Sequence, residues 1–273
     1  DGADRRIDDC RTLAPRRPRR LRATRRWRRE HNGNLIRLKM TDETGASNVR
    51  RPTDAAILEA AEHLRAGRLV AFPTETVYGL GANACDGRAV ARIYEAKGRP
   101  RFNPLIVHVA DLDAARELCL FNSLALELAG AFWPGPLTLV LRQKADSPIS
   151  PLVSAGLDSI AVRMPDHPIA RQLLKVANLP VAAPSANRSG HVSATRAAHV
   201  ASDLGPCVAR ILDGGPTAHG LASPIIDVSA DDPMLLRPGA ITADTIFAAT
   251  GRTIGRSYRA RSAASSCTCS GPR

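Results

Sequence analysis

The sequence predicts an α/β protein with a mixed sheet. Amphipathic stretches of ten or more residues alternate with short aliphatic runs, and residues typical of helix ends flank several of these stretches. Some of the aliphatic runs are joined by links too short for a crossover helix, so part of the sheet is expected to be antiparallel. With 273 residues, 44% hydrophobic and only 4% aromatic, the chain can bury a sizeable and mainly aliphatic core.

The first elements have clear boundaries. Thr53–Ala66 has apolar residues at helical spacing, a Thr-Asp start suited to an N-cap, and Gly67 directly after it. The run RLVAFPT then reads as a buried strand that leads into a loop. Asp86–Lys97 is a second amphipathic helix, closed by Gly98.

The rest of the chain continues this alternation. Helical spacing of apolar residues predicts four more helices, at Asp111–Leu120, Ser123–Phe132, His167–Ala177 and Thr195–Ser202. Short aliphatic runs predict six more strands, in PLIVHV, LTLVLRQ, SIAVRMP, LPVAAP, ARILDGG and SPIIDV. No internal repeat is visible, and Met40 to about Thr250 reads as one domain.

The net charge of +12 is concentrated in the terminal segments. Residues 1–39 hold 14 Lys and Arg against 5 Asp and Glu, and residues 251–273 hold five Arg and no acid, whereas residues 40–250 hold 19 basic and 21 acidic residues. The first segment could be an RNA-binding arm, a disordered leader or sequence that is not native. We expect a disordered or non-native leader at 1–39 and a low-complexity tail at 251–273.

Several protein classes find no support. No apolar run approaches the roughly 20 residues of a membrane span, and the Arg-rich start lacks the apolar region of a secretory signal. The six cysteines show no metal-ligand spacing, and three of them lie in aliphatic surroundings. We therefore expect a protein of a reducing compartment, the cytoplasm, with no membrane contact.

Charged side chains stand inside predicted strands. Arg163 lies between Val162 and Met164, where it must point away from the core or pair with an anion, because an unpaired buried charge is costly. Arg237, between Leu236 and Pro238 and outside the predicted strands, raises the same question. His108 also lies in an aliphatic strand, where a satisfied core or edge histidine is more common than a ligand.

Further polar residues follow helix and strand ends. Lys97 and Arg99 could be cations favoured at a helix C-terminus, and Ser185, Asn187 and Ser189 could cap the next helix. Together, however, these groups form the set of cations and short hydrogen-bonding side chains that a polyanionic ligand needs. The chain has no G-x-x-x-x-G-K-[ST] loop, dinucleotide fingerprint, G-x-S-x-G or H-E-x-x-H motif, so side chains from scattered strands would have to hold a nucleotide.

Seven motifs occur in order between Ala55 and Thr250: PTETVYGLGANA, KGRPRFNPLIVHV, FWPGPLTLVL, AVRMPDHPIA, PSANRSGHVS, LDGG and LLRPGAIT. They resemble the YrdC-like threonylcarbamoyl-AMP synthases. The resemblance implies a twisted mixed sheet around a large polar cavity. It also implies a reaction that joins L-threonine, bicarbonate or CO2 and ATP into threonylcarbamoyl-adenylate and releases pyrophosphate, with Mg2+ assisting. A partner complex would then transfer the threonylcarbamoyl group to an adenosine beside the anticodon of certain tRNAs.

The resemblance further implies which residues form the site. ATP would contact Lys97, Arg99, Asn103, Ser159, Ser185, Asn187, Ser193 and Arg237. Threonine and the carbamate would contact Thr74 or Thr76, His108, Arg163 and Ser223. Lys97 and Arg99 would be catalytic by neutralising charge on the phosphates, and Arg163 would pair with the threonine carboxylate while His108 and a hydroxyl orient the amine.

The chain departs from the family pattern twice. Ala222 and Pro224 flank Ser223, where family members usually have G-x-E-S-T, and residues after Thr250 resemble neither the linker nor the second domain of longer members. A short-type member or a truncated copy of a longer one would both fit. The alternatives to the synthase are carbamoyl-adenylate formation and a double-stranded RNA-binding module without enzymatic activity.

Overall fold

A computed structural model describes residues 48–230 and 232–256. The expected leader at 1–39 and residues 257–273 of the tail expected at 251–273 lie outside this range, whereas residues 251–256 are described. The described residues form eleven strands: β1 (Val49–Arg50), β2 (Val70–Phe72), β3 (Gly79–Asn83), β4 (Ile106–His108), β5 (Thr138–Arg142), β6 (Ser159–Arg163), β7 (Val181–Ala182), β8 (Arg210–Leu212), β9 (Ile225–Asp227), β10 (Met234–Arg237) and β11 (Gly255–Arg256). Eight α-helices accompany them: α1 (Asp54–Arg65), α2 (Gly87–Lys97), α3 (Leu112–Leu118), α4 (Ser123–Phe132), α5 (Pro151–Ser154), α6 (Pro168–Ala177), α7 (Ala197–Leu204) and α8 (Ala243–Thr250).

All eleven strands join one sheet in the order β1-β8-β2-β3-β7-β4-β6-β5-β9-β10-β11. Within the described residues, five neighbouring pairs are parallel and five are antiparallel. The predicted mixed sheet with flanking helices is therefore confirmed. Each described helix is too short or too polar to cross a lipid bilayer.

The helix boundaries follow from their capping residues. The Thr53 hydroxyl accepts a hydrogen bond from the Ala56 N–H at 3.3 Å and starts α1. The Asp86 carboxylate accepts one from the Arg88 N–H at 2.8 Å and starts α2, which ends at Gly98 in the left-handed conformation. Both ends of α2 are as predicted, and its last turn places Lys97 beside the cavity described below.

Strand β3 was not predicted, because its sequence GLGAN looks like a loop. Glycine is normally unfavourable in a strand interior. Here a Cβ on Gly81 would lie 2.8 Å from the Phe72 ring and 2.8 Å from the Val181 side chain. The neighbouring strands pack so closely across this position that only glycine fits.

The sheet has a hydrophobic cluster on each face. Along β2 the side chains alternate, with Ala71 in one cluster and Val70 and Phe72 in the other. Helices α1 and α6 cover the second cluster. At the centre of the sheet β4 and β6 run parallel with His108 opposite Arg163, so both strands deliver a polar residue to the same edge.

Two further sequence interpretations were incomplete or wrong. The polar residues of the 185–189 segment do not cap the next helix, because α7 begins after Arg196 without a side-chain cap. The last three elements, β10, α8 and β11, were not predicted. Helix α8 ends at Thr250, and β11 follows it and pairs with β10.

Candidate active site

A cavity of about 330 Å3 opens where β4, β6 and β10 end. It is lined by nine of the thirteen residues predicted for the site: Thr74, Thr76, Arg99, His108, Arg163, Ser185, Ser193, Ser223 and Arg237. They come from distant parts of the sequence and are brought together by the sheet. Active sites of open α/β sheets commonly lie in this position.

Three arginines give the cavity a positive charge, and no carboxylate is among the described residues that line it. Burial lowers the pKa of Arg99, Arg163 and Arg237, and the charges of Arg163 and Arg99 lower that of Arg237 further. An arginine starts from a pKa so high that it stays cationic at neutral pH. The cavity is therefore suited to a ligand with several negative charges.

Arg163 is paired with an anion, as its position in β6 required. Its Nη2 donates to Glu75 Oε1 at 2.5 Å, and its side chain is 4% exposed. The same Nη2 donates to Thr76 Oγ1 at 3.1 Å, and Nε donates to the Gly135 carbonyl at 3.3 Å. The Nη1 atom has no hydrogen-bond partner among the described residues.

His108 is the last residue of β4 and lines the cavity. Its Nδ1 is buried and has no hydrogen-bond partner in the described part of the chain. Burial and the neighbouring Arg163 charge lower the pKa of His108 to about 3, so the imidazole is neutral at pH 7. A neutral imidazole offers one donor and one acceptor nitrogen, and His108 lines the cavity, so its ring is a candidate hydrogen-bonding partner for a ligand.

The two threonines have different roles in the structure. The Thr74 hydroxyl donates to the Val77 carbonyl at 2.7 Å and accepts from the Thr76 and Val77 N–H groups. Since its one proton is used, Thr76 must donate in the 2.9 Å contact between the two hydroxyls. Thr76 Oγ1 also accepts from Arg163, which leaves it one free lone pair.

Ser223 also lines the cavity, although Ala222 and Pro224 flank it in place of the usual family residues. Its hydroxyl lies 2.9 Å from Thr138 Oγ1 and accepts from Arg237 Nη2 at 3.0 Å, while Arg237 Nε donates to its carbonyl at 2.8 Å. Gly239 packs directly beneath this segment, and a Cβ there would lie 2.4 Å from the Pro224 nitrogen. Hydrogen bonds with Arg237 and Thr138 thus fix the position of the Ser223 hydroxyl.

Lys97 and Asn187 hold a loop and do not line the cavity. Lys97 Nζ donates to the Ser185 carbonyl at 2.6 Å and to the Asn187 carbonyl. Asn187 Nδ2 donates to the Arg188 and His191 carbonyls, while its Oδ1 is buried and has no partner among the described residues. Burial and the Arg99 charge lower the pKa of Lys97 to about 8.

Two predicted residues are placed differently from the rest. The Asn103 carbonyl accepts from Arg99 Nε at 3.3 Å, so its backbone orients Arg99, while Asn103 itself is absent from the cavity lining. Ser159 begins β6 opposite Arg142, at the end of the strand away from Arg163. Ser159 and Arg163 are the first and last residues of this five-residue strand, about 13 Å apart.

A family model described as Telomere recombination, for the Sua5/YciO/YrdC domain, matches residues 62–239. The chain belongs to the Sua5/YciO/YrdC family. The threonylcarbamoyl-AMP synthase of Bacillus subtilis (strain 168) is 53% identical over 199 residues, which cover 72% of this chain and 57% of that protein.

Other members of this family give the same result. The threonylcarbamoyl-AMP synthase of Pyrococcus abyssi (strain GE5 / Orsay) is 50% identical over 201 residues, which cover 73% of this chain and 58% of that protein. The crystal structure of P. abyssi Sua5 complexed with L-threonine matches with a TM-score of 0.73 and 47% identity, covering 77% of this chain and 61% of that one. The family resemblance inferred from the motifs is confirmed. The chain spans little more than half the length of these relatives.

The Sua5/YciO/YrdC motif PTETVYG contains one site residue that sequence reasoning missed. Glu75 stands between two predicted ligand-contacting threonines, but it was given no role. The signal was present, because Arg163 required a buried anion and the chain offers a carboxylate directly after a buried strand. Only the fold shows that these two residues meet.

Proposed function

We propose that the chain is an L-threonylcarbamoyladenylate synthase, which joins L-threonine, bicarbonate or CO2 and ATP and releases pyrophosphate. The observation that carries the proposal is the cavity itself, in which three arginines and several short hydroxyls converge without a phosphate loop. The names of the B. subtilis and P. abyssi relatives and the threonine complex of P. abyssi Sua5 support the same reaction.

The threonine side of the site is proposed around Arg163. Its Nη1 is the donor left for a carboxylate, and a charge-assisted hydrogen bond there would be among the stronger contacts. Thr76 Oγ1 retains one free lone pair and His108 lines the cavity, so we assign them to the amine and hydroxyl of threonine. Thr74 is assigned a structural role, because its hydroxyl has already used its proton.

The ATP side is proposed around Arg99, Arg237, Ser185 and Ser193. The two serine hydroxyls have no hydrogen-bond partner among the described residues, so both can contact the nucleotide. Arg99 and Arg237 would neutralise charge that develops on the triphosphate and the leaving pyrophosphate. Lys97 would contribute by holding the loop that carries Ser185. Because its pKa is about 8, Lys97 is mostly protonated at pH 7.

The proposed chemistry needs positioning more than a protein nucleophile. The unprotonated amine of threonine forms a bond to the carbon of CO2 and loses a proton, which gives a carbamate. A carbamate oxygen then attacks the α-phosphorus of ATP, the bond to the β-phosphate oxygen breaks, and pyrophosphate leaves with the electron pair. Holding both reactants among fixed cations supplies the rate enhancement.

Mg2+ is not given a protein site in this proposal. No three His, Cys, Asp or Glu side chains cluster in residues 48–230 and 232–256, so the residues present do not fit a resident metal site. Mg2+ commonly binds through substrate phosphates and water with few protein ligands. We therefore propose that the ion enters with the triphosphate.

The proposal is tested by incubating the purified chain with ATP, Mg2+, bicarbonate and L-threonine. We expect pyrophosphate and threonylcarbamoyl-AMP to form together, and both to disappear when threonine is omitted. Formation of pyrophosphate and an adenylate when an ammonium salt replaces threonine, so that ammonia supplies the carbamate nitrogen, would indicate the carbamoyl-adenylate alternative. Absence of product above background would contradict the enzyme proposal and favour the RNA-binding alternative.

The remaining roles are also proposals. We propose that a separate transferase complex transfers the threonylcarbamoyl group to tRNA. We further propose a cytoplasmic location and a contact with RNA through the basic terminal segments.

A further inference from the structure

Glu75 takes no part in the proposed chemistry, yet its carboxylate is tightly bound on both oxygens. Oε1 accepts from Arg163 Nη2 at 2.5 Å, and Oε2 accepts from the Asp166 N–H at 3.1 Å. Its neighbours Thr74 and Thr76 line the cavity, whereas Glu75 does not. The carboxylate therefore lies behind Arg163, seen from the cavity.

These contacts fix the orientation of the Arg163 guanidinium. Glu75 and Thr76 both accept hydrogen bonds from Nη2, and the Gly135 carbonyl accepts one from Nε. The guanidinium is planar, so anchoring these two nitrogens also fixes the position of the third. That third nitrogen, Nη1, is the one without a partner among the described residues, and Arg163 lines the cavity.

We propose that Glu75 is a positioning residue for substrate recognition, which holds Arg163 so that Nη1 meets the carboxylate of the amino-acid substrate. This inference rests on the proposed function, because it takes L-threonine as the ligand. Glu75 acts through Arg163 and does not touch the substrate. By orienting Arg163, Glu75 would favour substrates that have a free carboxylate.

The chemistry of the position requires a carboxylate. Both oxygens of Glu75 accept from fixed N–H donors, one on Arg163 and one on the backbone of Asp166. A glutamine has one acceptor and one donor at its end, so Glu75→Gln must place its NH2 group against one of these donors. An aspartate keeps both acceptors but is one methylene shorter, and we expect it to reach only one partner.

Two opposite effects make the inference testable. Loss of the Glu75 charge alone would strengthen the attraction between Arg163 and a substrate carboxylate. Loss of orientation would weaken it, because hydrogen bonds depend steeply on distance and angle. The positioning role predicts that the second effect dominates, so that Glu75→Gln binds threonine more weakly.

The experiment measures the affinity of the full chain for L-threonine and for L-threoninol, in which an alcohol replaces the carboxylate. Titration calorimetry on the Glu75→Gln variant is expected to show at least a tenfold rise in the Kd for L-threonine and less than a twofold change for L-threoninol. In the synthase assay, the KM for threonine should rise while the KM for ATP stays within twofold. A merely structural role would change all of these values together.

Glu59 provides a matched control. It forms an ion pair with Arg210, whose side chain is 6% exposed, and neither residue lines the cavity. Glu59→Gln should therefore leave both affinities unchanged. Should Glu75→Gln fail to fold, as judged by circular dichroism, Glu75→Asp replaces it, with an expected rise of at least threefold in the Kd for L-threonine.

Unchanged or tighter binding of L-threonine by a folded Glu75 variant would overturn the inference. A wild-type chain that binds L-threonine no better than L-threoninol would also overturn it, since Arg163 would then not read the carboxylate. A wild-type chain that binds L-threonine selectively but forms no adenylate would contradict the proposed reaction and leave this role of Glu75 supported.

Discussion

At the residue scale, some polar groups near the cavity are hydrogen-bonded within the fold, whereas others have no partner among the described residues. Thr74 has committed its hydroxyl to the backbone, whereas His108 Nδ1 is buried without a partner among the described residues. A buried polar atom without a hydrogen bond costs about 1–3 kcal/mol. A hydroxyl that is already paired within the fold, as that of Thr74 is, is therefore a poorer candidate for a ligand contact than one that is not.

This distinction predicts different effects at the two threonines. Thr74→Val leaves two N–H groups and one carbonyl without their partner, so we expect a loss of about 2–3 kcal/mol in the free energy of unfolding. Thr76→Val removes a group that we assign to the ligand, and we expect the KM for threonine to rise at least fivefold. Urea denaturation and the synthase assay measure the two effects. A larger rise in KM for Thr74→Val at intact stability would reverse the assignment.

The lowered pKa of Lys97 predicts a pH dependence of stability. The pKa is about 8 in the folded chain and about 10.5 unfolded, so between these values the unfolded state binds more protons. Stability should therefore rise with pH in this window, by about 2 kcal/mol between pH 7.5 and pH 10. Urea denaturation of the wild type relative to Lys97→Met isolates this contribution. An equal pH dependence in both proteins would show that Lys97 has an ordinary pKa.

The sequence predicted most of the residues that meet at the cavity, but it did not predict their hydrogen-bond partners within the protein. The need of Arg163 for an anion followed from one strand and the cost of burying a charge. Its partner Glu75 lies 88 positions away, and that contact depends on how β6 and the loop after β2 are arranged. Similarly, Lys97 was assigned to phosphate from its motif, but its contacts are two loop carbonyls.

At the element scale, helices were predictable where local chemistry determines their ends. Thr53 and Asp86 cap α1 and α2 through bonds within three residues, which the sequence alone can show. Strand β3 was missed because the need for glycine at position 81 comes from side chains on neighbouring strands. The requirement for glycine there comes from the Phe72 ring, a contact that no local pattern contains.

This packing predicts that β3 tolerates no side chain at position 81. Gly81→Ala places a methyl group 2.8 Å from the Phe72 ring and from Val181, so we expect a loss of about 1–3 kcal/mol in the free energy of unfolding. The pair Gly81→Ala with Phe72→Leu should recover part of that loss, because the smaller side chain makes room. Gly130→Ala is a suitable control, since a Cβ there meets nothing within 4 Å. Strictly additive effects of the two substitutions would contradict the proposed clash.

At the scale of the whole molecule, charge and chemistry are separated along the chain. Residues 40–250 hold 19 basic and 21 acidic residues, and the cavity concentrates three of the arginines. The remaining excess of positive charge belongs to residues 1–39 and 251–273. Any strong, non-specific attraction to RNA would therefore depend on the terminal segments, because that attraction comes from Lys and Arg contacts to phosphate.

Deletion of residues 1–39 tests this separation. The deletion removes 14 basic residues but none of the residues that line the cavity, so we expect adenylate formation to stay within twofold of the full chain. Binding to duplex RNA, measured by fluorescence anisotropy from 50 to 200 mM salt, should weaken at least tenfold at the lowest salt and lose most of its salt dependence. Because the two readouts rely on different residues, they should change independently. Loss of adenylate formation together with RNA binding would show that the first segment also supports the cavity, and unchanged RNA binding would place the RNA contact within residues 40–273.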